Sequence, residues 1–448
     1  MGKIDTITGH VLIDENKVED PKLGNTPITG DRYYSKEFMD KEWEGIWTKT
    51  WLIAGLSAQI PNTGDRFTFD IGRENILFTR DKEGKVHAFY NVCQHRGNRL
   101  VHEEISSGKF MACNYHGWRF SNEGDLIFVP SPEDFEGGTP CGKLKLVEIP
   151  CREWAGFLWF SMDENVEPLE DFLGPIKSQI ETYQVENMIR THWVTIEGDF
   201  NWKVVQDNFC ESYHLPFVHP QSRYFIEMSY RHCQFDMYDK EGHTRMFMPG
   251  ARPTMGLKGD FEKTKIQVKE EHEFWGLDSE AFREDPHSMR EAMQKVKREK
   301  GAEKGFDYSR FTDDQLTDHY HYTLFPNASL SLKPDGCIFL MAYPHPNDPE
   351  QCLFHMWYLT WYPEGQDEYY SHALKKTLPR DFKPPHEIGP YPQVSAGLAI
   401  DQDLDIWSTH QLGLRSRGYK KAHMPQQENR VRFFHERVDK YIDKLNKL

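Results

Sequence analysis

Residues 93–118 read CQHRGNRLVHEEISSGKFMACNYHGW: Cys93-Gln94-His95, seventeen residues from Arg96 to Ala112, then Cys113-Asn114-Tyr115-His116. A lone Cys or His is ordinarily core filling or surface decoration. Two Cys-and-His pairs at this separation ask for more, because two short loops that each follow a strand can close on one metal centre from opposite sides. Two thiolates with two imidazoles suit a tetrahedral structural zinc and a two-iron cluster alike. Residue types leave both open.

On either side of this stretch the pattern is one of short strands. Phe67, Phe69 and Ile71 alternate with polar residues, and runs at 75–80 and 86–90 flank an Asp81-Lys82-Glu83-Gly84 turn. Turn signals at Ser107-Gly108 and Ser121-Asn122-Glu123-Gly124 carry the rhythm to about Trp159. An all-β module is expected over 48–165. Before it, Met39, Trp43, Ile46 and Trp47 fall at helical spacing, so 1–47 is expected to be a helical segment packing on the second domain.

The rest, 166–448, is mixed. A helix from Glu167 should be interrupted at Gly174-Pro175, and strand-like runs lie at 193–196, 233–238, 328–332, 338–343 and 352–361, with hairpin turns at Asp239–Gly242 and Pro334–Gly336. Residues 257–315 are heavily charged, with a capping box at Ser288-x-x-Glu291 and an apolar stripe of Met289, Ala292, Met293 and Val296. That stretch reads as a solvated helical insertion or a lid. A last helix carries Val431, Phe434, Val438, Tyr441, Ile442 and Leu445 on one face. The expected class is α+β, a small all-β domain plus a larger antiparallel sheet with helices.

Within the larger part stands Asp207-Asn208-Phe209-Cys210-Glu211-Ser212-Tyr213-His214-Leu215-Pro216-Phe217-Val218-His219. On a helix, Asp207, Glu211 and His214 share a face, and Pro216 should bend the chain so that His219 reaches the same point. An amphipathic helix with two surface His has the same spacing. Two His with one distant carboxylate are the facial triad of non-haem Fe(II) oxygenases, which leaves positions open for dioxygen. The carboxylate must then come from elsewhere.

Composition narrows the field. The chain has 54 Lys and Arg against 70 Asp and Glu, a net charge of −16, which disfavours a nucleic-acid partner. Its 8 Cys are scattered, as reduced thiols or metal ligands would be, and not arranged as a disulfide framework. With no long apolar run and no secretion-signal layout at the start, a soluble cytoplasmic protein away from membranes is expected. Met1-Gly2-Lys3-Ile4-Asp5-Thr6 fits the loose myristoylation pattern, and the Asn327-Ala328-Ser329 sequon carries no meaning in an unsecreted chain.

The paired loops, with Arg96-Gly97 and Gly117-Trp118 behind them, resemble the Rieske family, whose C-x-H and C-x2-H loops bind [2Fe–2S]. The resemblance implies that Cys93 and Cys113 hold one iron and His95 and His116 the other. Asn98 and Asn114 stand where the respiratory branch has a pair of clamp cysteines, so the chain is similar to the oxygenase branch. Near the C-terminus Asp401-Gln402-Asp403-Leu404-Asp405, followed by Gln411-Leu412-Gly413-Leu414, resembles the late acidic motif of the same family, eight positions before the Gln. It implies Asp403 as the third iron ligand, with Asp401 and Asp405 as rivals on one side of an extended segment.

The resemblance covers nearly the whole chain and is to the catalytic α subunits of Rieske non-haem iron ring-hydroxylating oxygenases. It implies a helix-grip catalytic domain at 166–448 holding Fe(II) on His214, His219 and Asp403, and O2 as co-substrate. It also implies electrons from a separate NAD(P)H-dependent reductase, with or without a ferredoxin, and a homotrimer or an assembly with a small β subunit. Asn208 and Glu211 are the implied catalytic residues, Glu211 standing where many members have Asp as an electron bridge to the partner subunit's His116. No Gly-rich dinucleotide fingerprint occurs, so NAD(P)H would be used by another chain. The implied reaction is hydroxylation of an aromatic or alicyclic molecule, in aromatic hydrocarbon catabolism, with Phe209, Tyr213, Phe217, Phe325 and Trp357 as candidate pocket walls. Glu211 also resembles the residue at this position in members that oxidise quaternary ammonium compounds. A zinc-stabilised interaction protein is the rival of a different class.

Overall fold

The structure is a computed structural model that describes residues 18–257, 259–363, 365–371 and 376–445. The Met1–Thr6 pattern lies outside the described residues. The chain divides into two compact units, one of Asp40–Gly174 with the end of the chain from Ile442, the other of the N-terminal part to Met39 with Pro175–Tyr441.

In the first unit, a five-stranded antiparallel sheet runs in the order Ile105–Ser107, Asp65–Ile71, Glu74–Arg80, Val86–Tyr90, Glu148–Ile149. Two three-stranded sheets accompany it, Leu52–Leu56 with Phe157–Phe160 and Cys151–Trp154, and Met111–Ala112 with Arg119–Phe120 and Leu126–Phe128. The limits are wider than the expected 48–165 for a packing reason. Trp43 lies against Gly72, where a Cβ would meet its ring at 2.2 Å, Trp51 Nε1 donates to the Glu167 carbonyl at 2.7 Å, and Phe172 meets Trp159 edge-on. The helical turns to Trp47 and the helix Leu169–Leu173 therefore belong with the β unit.

The second unit is built on an eight-stranded sheet in the order Gln234–Met237, Thr244–Met248, His319–Leu324, Ala328–Lys333, Gly336–Pro344, Cys352–Thr360, Ile189–Gly198, Glu387–Gly389, antiparallel except for the last pair. All five strand-like runs of this region lie in the sheet. Thr244–Met248 and His319–Leu324 were not expected; in His319–Leu324 the His, Tyr and Thr side chains hide the apolar signal, and Thr244–Met248 opens on the polar pair Thr244-Arg245. Three helices, Trp202–Phe209, Leu398–Leu414 and, as far as Tyr441, Asn429–Leu445, carry polar side chains into the interior of this unit. The last buries Val431, Phe434, Val438, Tyr441 and Ile442. The charged stretch forms helices Phe261–Trp275 and Met289–Lys300, but the capping box does not form, since Ser288 Oγ donates to the Asp285 carbonyl and makes no cap bond. Among the described residues no helix is long and apolar enough to cross a membrane.

Candidate active site and metal centres

The two loops of the β unit are copies of one design. The Cys93 N–H donates to the Asn98 carbonyl at 2.8 Å and Gly97 N–H returns to the Cys93 carbonyl at 3.1 Å, while Cys113 and Trp118, then Gly117 and Cys113, repeat this at 2.8 and 2.9 Å. Each closing glycine has a positive φ, 78° at Gly97 and 71° at Gly117, a conformation that a side chain disfavours. Both thiols are buried among Leu77, Phe89, Met111, Phe120 and Leu126. The His95 and His116 rings stand 4.6 Å apart, and Trp118 stacks on His95 at 4.6 Å. Burial and the neighbouring His116 hold His95 below its ordinary pKa, in the neutral form that binds metal. Asn98 Nδ2 donates to Asn114 Oδ1 at 2.8 Å, a hydrogen bond between the same two loops that clamp cysteines would link. The His116 Nδ1 is buried without a partner, which fits a nitrogen that a cluster iron would take.

In the second unit the helix of the 201–219 segment stops early. Trp202–Phe209 is helical, capped by the Asn201 side chain accepting from Lys203 N–H, and the chain turns at Cys210. Asp207, Glu211 and His214 therefore do not share a helical face. Pro216 is not the breaker either, for it sits in the first turn of a new short helix, Leu215–Val218, with His214 and His219 at its two ends. A Pro is tolerated there because its missing N–H has no intrahelical partner to lose. One turn of helix between the two imidazoles brings their ring centres to 5.3 Å.

The segment with the late acidic motif is the helix Leu398–Leu414, not an extended run, so the three aspartates fan out and do not align. Asp403 alone points at the His pair. Its Oδ1 lies 3.0 Å from His219 Nε2 and 3.7 Å from His214 Nε2, and the ligand atoms of all three lie within 4.8 Å of one another. Asp401 accepts from Ser395 Oγ and Ala396 N–H, and Asp405 from Tyr391 Oη.

The far nitrogens fix the tautomers. His214 Nδ1 is 2.6 Å from Glu211 Oε1 and His219 Nδ1 is 2.9 Å from Gln402 Oε1. Both acceptors require a proton on Nδ1, which leaves each Nε2 lone pair facing the shared point with Asp403, as metal-binding imidazoles are usually arranged. Without a metal, burial alone would lower the His219 pKa, and Asp403, which can accept from Nε2 only when the ring is protonated on both nitrogens, raises it instead. Glu211 Oε2 accepts from the backbone N–H groups of Tyr213 and His214. Asp207 is turned away, to Tyr33 Oη at 2.5 Å and His435 Nε2 at 3.0 Å. The Asn208 Nδ2 is buried without a partner.

Gln402, Tyr33 and His435 were missed. The second and third come from the two ends of the chain, and nothing local in the sequence marks them. Of the aromatic wall candidates only Phe209 faces inward, against His321, Phe354 and Trp407. Phe325 packs on Phe434 and Tyr441 of the last helix. Trp357 lies on the opposite sheet face from Phe354 and Met356, beside Phe339. Tyr213 and Phe217 are exposed, Phe217 at 82%.

The family profile described as ring hydroxylating alpha subunit (catalytic domain) matches residues 185–444. The chain belongs to the ring-hydroxylating oxygenase α-subunit family. Residues 50–147 match the Rieske [2Fe-2S] domain, so the chain pairs that iron–sulfur domain with the catalytic domain of mononuclear-iron oxygenases, and the zinc alternative falls. It is 33% identical to the oxygenase subunit of a glycine betaine monooxygenase from Pseudomonas aeruginosa over 189 residues, 42% of this chain and 44% of the relative. It is 32% identical to the chloroplastic choline monooxygenase of Spinacia oleracea over 256 residues, 55% of this chain and 56% of the relative. The matched stretch thus spans about half the length of these curated relatives. In fold, the chain is similar to a quaternary ammonium Rieske monooxygenase crystallised with an inhibitor, with a TM-score of 0.65, 18% identity, and 93% of this chain and 95% of that one covered.

Proposed function

We propose that this chain is the terminal oxygenase component of a multi-protein oxygenase, in which the domain limits are those of the compact units and the protein is cytoplasmic. The observation that carries the reading is the convergence of both His Nε2 atoms and Asp403 Oδ1 on one point, in a chain that also presents two matched Cys/His loops. Cys93 and Cys113 would hold one cluster iron, His95 and His116 the other, and His214, His219 and Asp403 the mononuclear Fe(II). When bound, these groups supply one-electron delivery and dioxygen activation. The chain's own residues do the rest. Glu211 and Gln402 keep the Nδ1 protons of His214 and His219 in place, and Asp403 holds a negative charge buried beside both rings. Glu211 also bridges electrons, through the remaining acceptor capacity of its carboxylate, to the partner subunit's His116 in a homotrimer. Asn208, whose Nδ2 is buried without a partner, is the other proposed catalytic residue.

Electrons come one at a time from an NAD(P)H-dependent reductase, directly or through a ferredoxin, and a small β subunit is compatible with the assembly. The reaction is mono- or dihydroxylation of an aromatic or alicyclic molecule. A second reading, oxidation or demethylation of a quaternary ammonium or N-methyl compound, is favoured by Glu211 and by the relatives that act on glycine betaine and choline. Turnover with a surrogate reductase and isotopically labelled O2, across arenes, aryl carboxylates, steroids and betaines, tests the reading. Label in a product of one class supports it. Protein without iron and acid-labile sulfide, or with both and no product in any class, counts against it.

A further inference from the structure

The sheet face that looks toward the helix Trp202–Phe209 changes character along its width. At one side it presents Ile196, Phe354, Met356 and Leu340, as a core face should. On the next strands the cross-strand pairs are Ser331 with His321, Ser329 with Thr323, and Thr323 with Thr244. All but Ser331 are buried. Buried polar groups at this density have to be satisfied by one another or by a ligand.

Some are satisfied and some are not. Ser331 Oγ binds His321 Nδ1 at 2.7 Å, and the Thr244 and Thr323 hydroxyls bind each other. Ser329 Oγ, buried at 1% exposure, has no partner. Into the same stretch comes Arg430 from the last helix, also 1% exposed, with Nε donating to Thr244 Oγ1 at 2.8 Å. Its Nη1 and Nη2 are buried and make no hydrogen bond, and its only aromatic neighbour among the described residues, the Phe235 ring, lies at the limit of a cation–π contact, 6.0 Å from the guanidinium carbon. Both carboxylates that act on its charge are committed elsewhere. Asp236 Oδ2 accepts from Nε and Nη2 of Arg245, and Glu211 is taken by His214 and the backbone.

A guanidinium does not shed its proton to escape burial. An uncompensated buried cation is a heavy cost that a fold does not carry without a counter-charge arriving at some stage. Two free N–H2 groups on one planar fork match the two oxygens of a carboxylate. The place is right as well. From Arg430 the contacts run through Thr244 and Thr323 to Cys210, whose Sγ is 4.0 Å from Thr323 Oγ1, and Cys210 precedes Glu211, which holds His214.

We infer that Arg430 binds the carboxylate of the substrate, with Ser329 offering a further polar contact, so that the natural substrate is a small carboxylate such as an aryl carboxylate or a betaine and not a neutral arene or a steroid. This rests on the oxygenase reading and narrows it. Burial, with Arg430 beside it, pushes the His321 pKa down to about 3, so His321 brings no second positive charge beside Arg430.

The test is calorimetric binding to protein whose iron and acid-labile sulfide have been measured, with benzoate against benzamide and glycine betaine against choline as probes. Wild type should bind at least one carboxylate tenfold or more tightly than its counterpart. Arg430→Lys keeps a charge but not the fork and should lose about tenfold of that preference. Arg430→Met should lose it entirely, with metal content unchanged and a melting temperature equal or higher, because a buried unpaired charge has gone. Wild type without any preference, or Arg430→Met or Arg430→Lys retaining it in full, overturns the inference. Protein that lacks iron and sulfide yet binds carboxylates through Arg430 would sink the oxygenase reading and leave this site standing.

Discussion

His95 and His116 stand on two loops of the same make, each a few residues long and each carrying its own cysteine. His214 and His219 flank one helical turn and need Asp403, 184 residues beyond His219, to complete their group. The first centre is assembled from two local units, each closed by its own backbone hydrogen bonds. The second exists only once the helix Leu398–Leu414 is docked. Even the groups that orient the imidazoles differ in kind. At the first centre the rings rest on Trp118 and on each other, and at the second each Nδ1 is held by a side-chain oxygen, from Glu211 or Gln402. A ligand set made of local turns tolerates change elsewhere, and one made by docking depends on distant residues.

The sharpest break in that comparison comes at Asp403. Asp403→Ala should abolish mononuclear iron binding and product formation while leaving the cluster's visible absorption intact. Asp401→Ala and Asp405→Ala should keep the iron, since those carboxylates serve Ser395, Ala396 and Tyr391. Metal analysis of the three variants decides, and iron retained in Asp403→Ala would show that the register is wrong.

Next in size is Glu211→Gln, which keeps the volume and removes the charge behind the His214 hydrogen bond. Both metals should stay bound and the cluster should remain reducible, with electron transfer in single turnover slowed by orders of magnitude. Rapid-mixing spectroscopy reads this directly, and wild-type transfer would remove the bridging role. Asp207 would be a poor substitute, because it is turned toward Tyr33 and His435 and contacts neither His214 nor His219. Gln402→Leu should act more mildly. Without its acceptor the His219 ring loses its orientation, and iron affinity should fall about 10- to 100-fold, measured by chelator competition, with cluster content unaffected.

The smallest effect belongs to the local centre. Gly117→Ala meets nothing within 4 Å, so its cost is the left-handed backbone alone, about 1–2 kcal/mol. Thermal melting followed at the cluster's absorption should shift downward by that cost while mononuclear iron binding stays as in wild type.

How far the sequence reveals each centre follows from the same contrast. The four β-unit residues were legible because their spacing is itself the structure, a turn closed by glycine twice over. For the second centre the two histidines were legible and the path between them was not. Helical periodicity continues in the sequence past Phe209, but Cys210 ends the helix, and the proline expected to break it instead begins the next. Asp403 was reached by motif resemblance with the wrong conformation, extended where the chain is helical. An Asp at every second position looks like an edge strand, and only the packing of Leu404, Trp407 and Leu414 makes it a helix. Gln402 stood in the acidic motif without an assigned role, Tyr33 and His435 had no local signal, and Arg430 looked like any basic residue near the start of an amphipathic helix. Its isolation shows only in three dimensions.

The central claim is that two ligand sets sharing no residue hold two separate iron centres. The direct measurement is iron and acid-labile sulfide per chain in wild type, in a His214→Ala, His219→Ala double variant and in Cys113→Ser. Wild type should contain about three irons and two sulfides. The double variant should keep the two sulfides and two of the irons, with its colour unchanged, and Cys113→Ser should lose the sulfide and the colour while retaining a single iron. Loss of sulfide in the histidine double variant, or full iron content in it, would contradict the account.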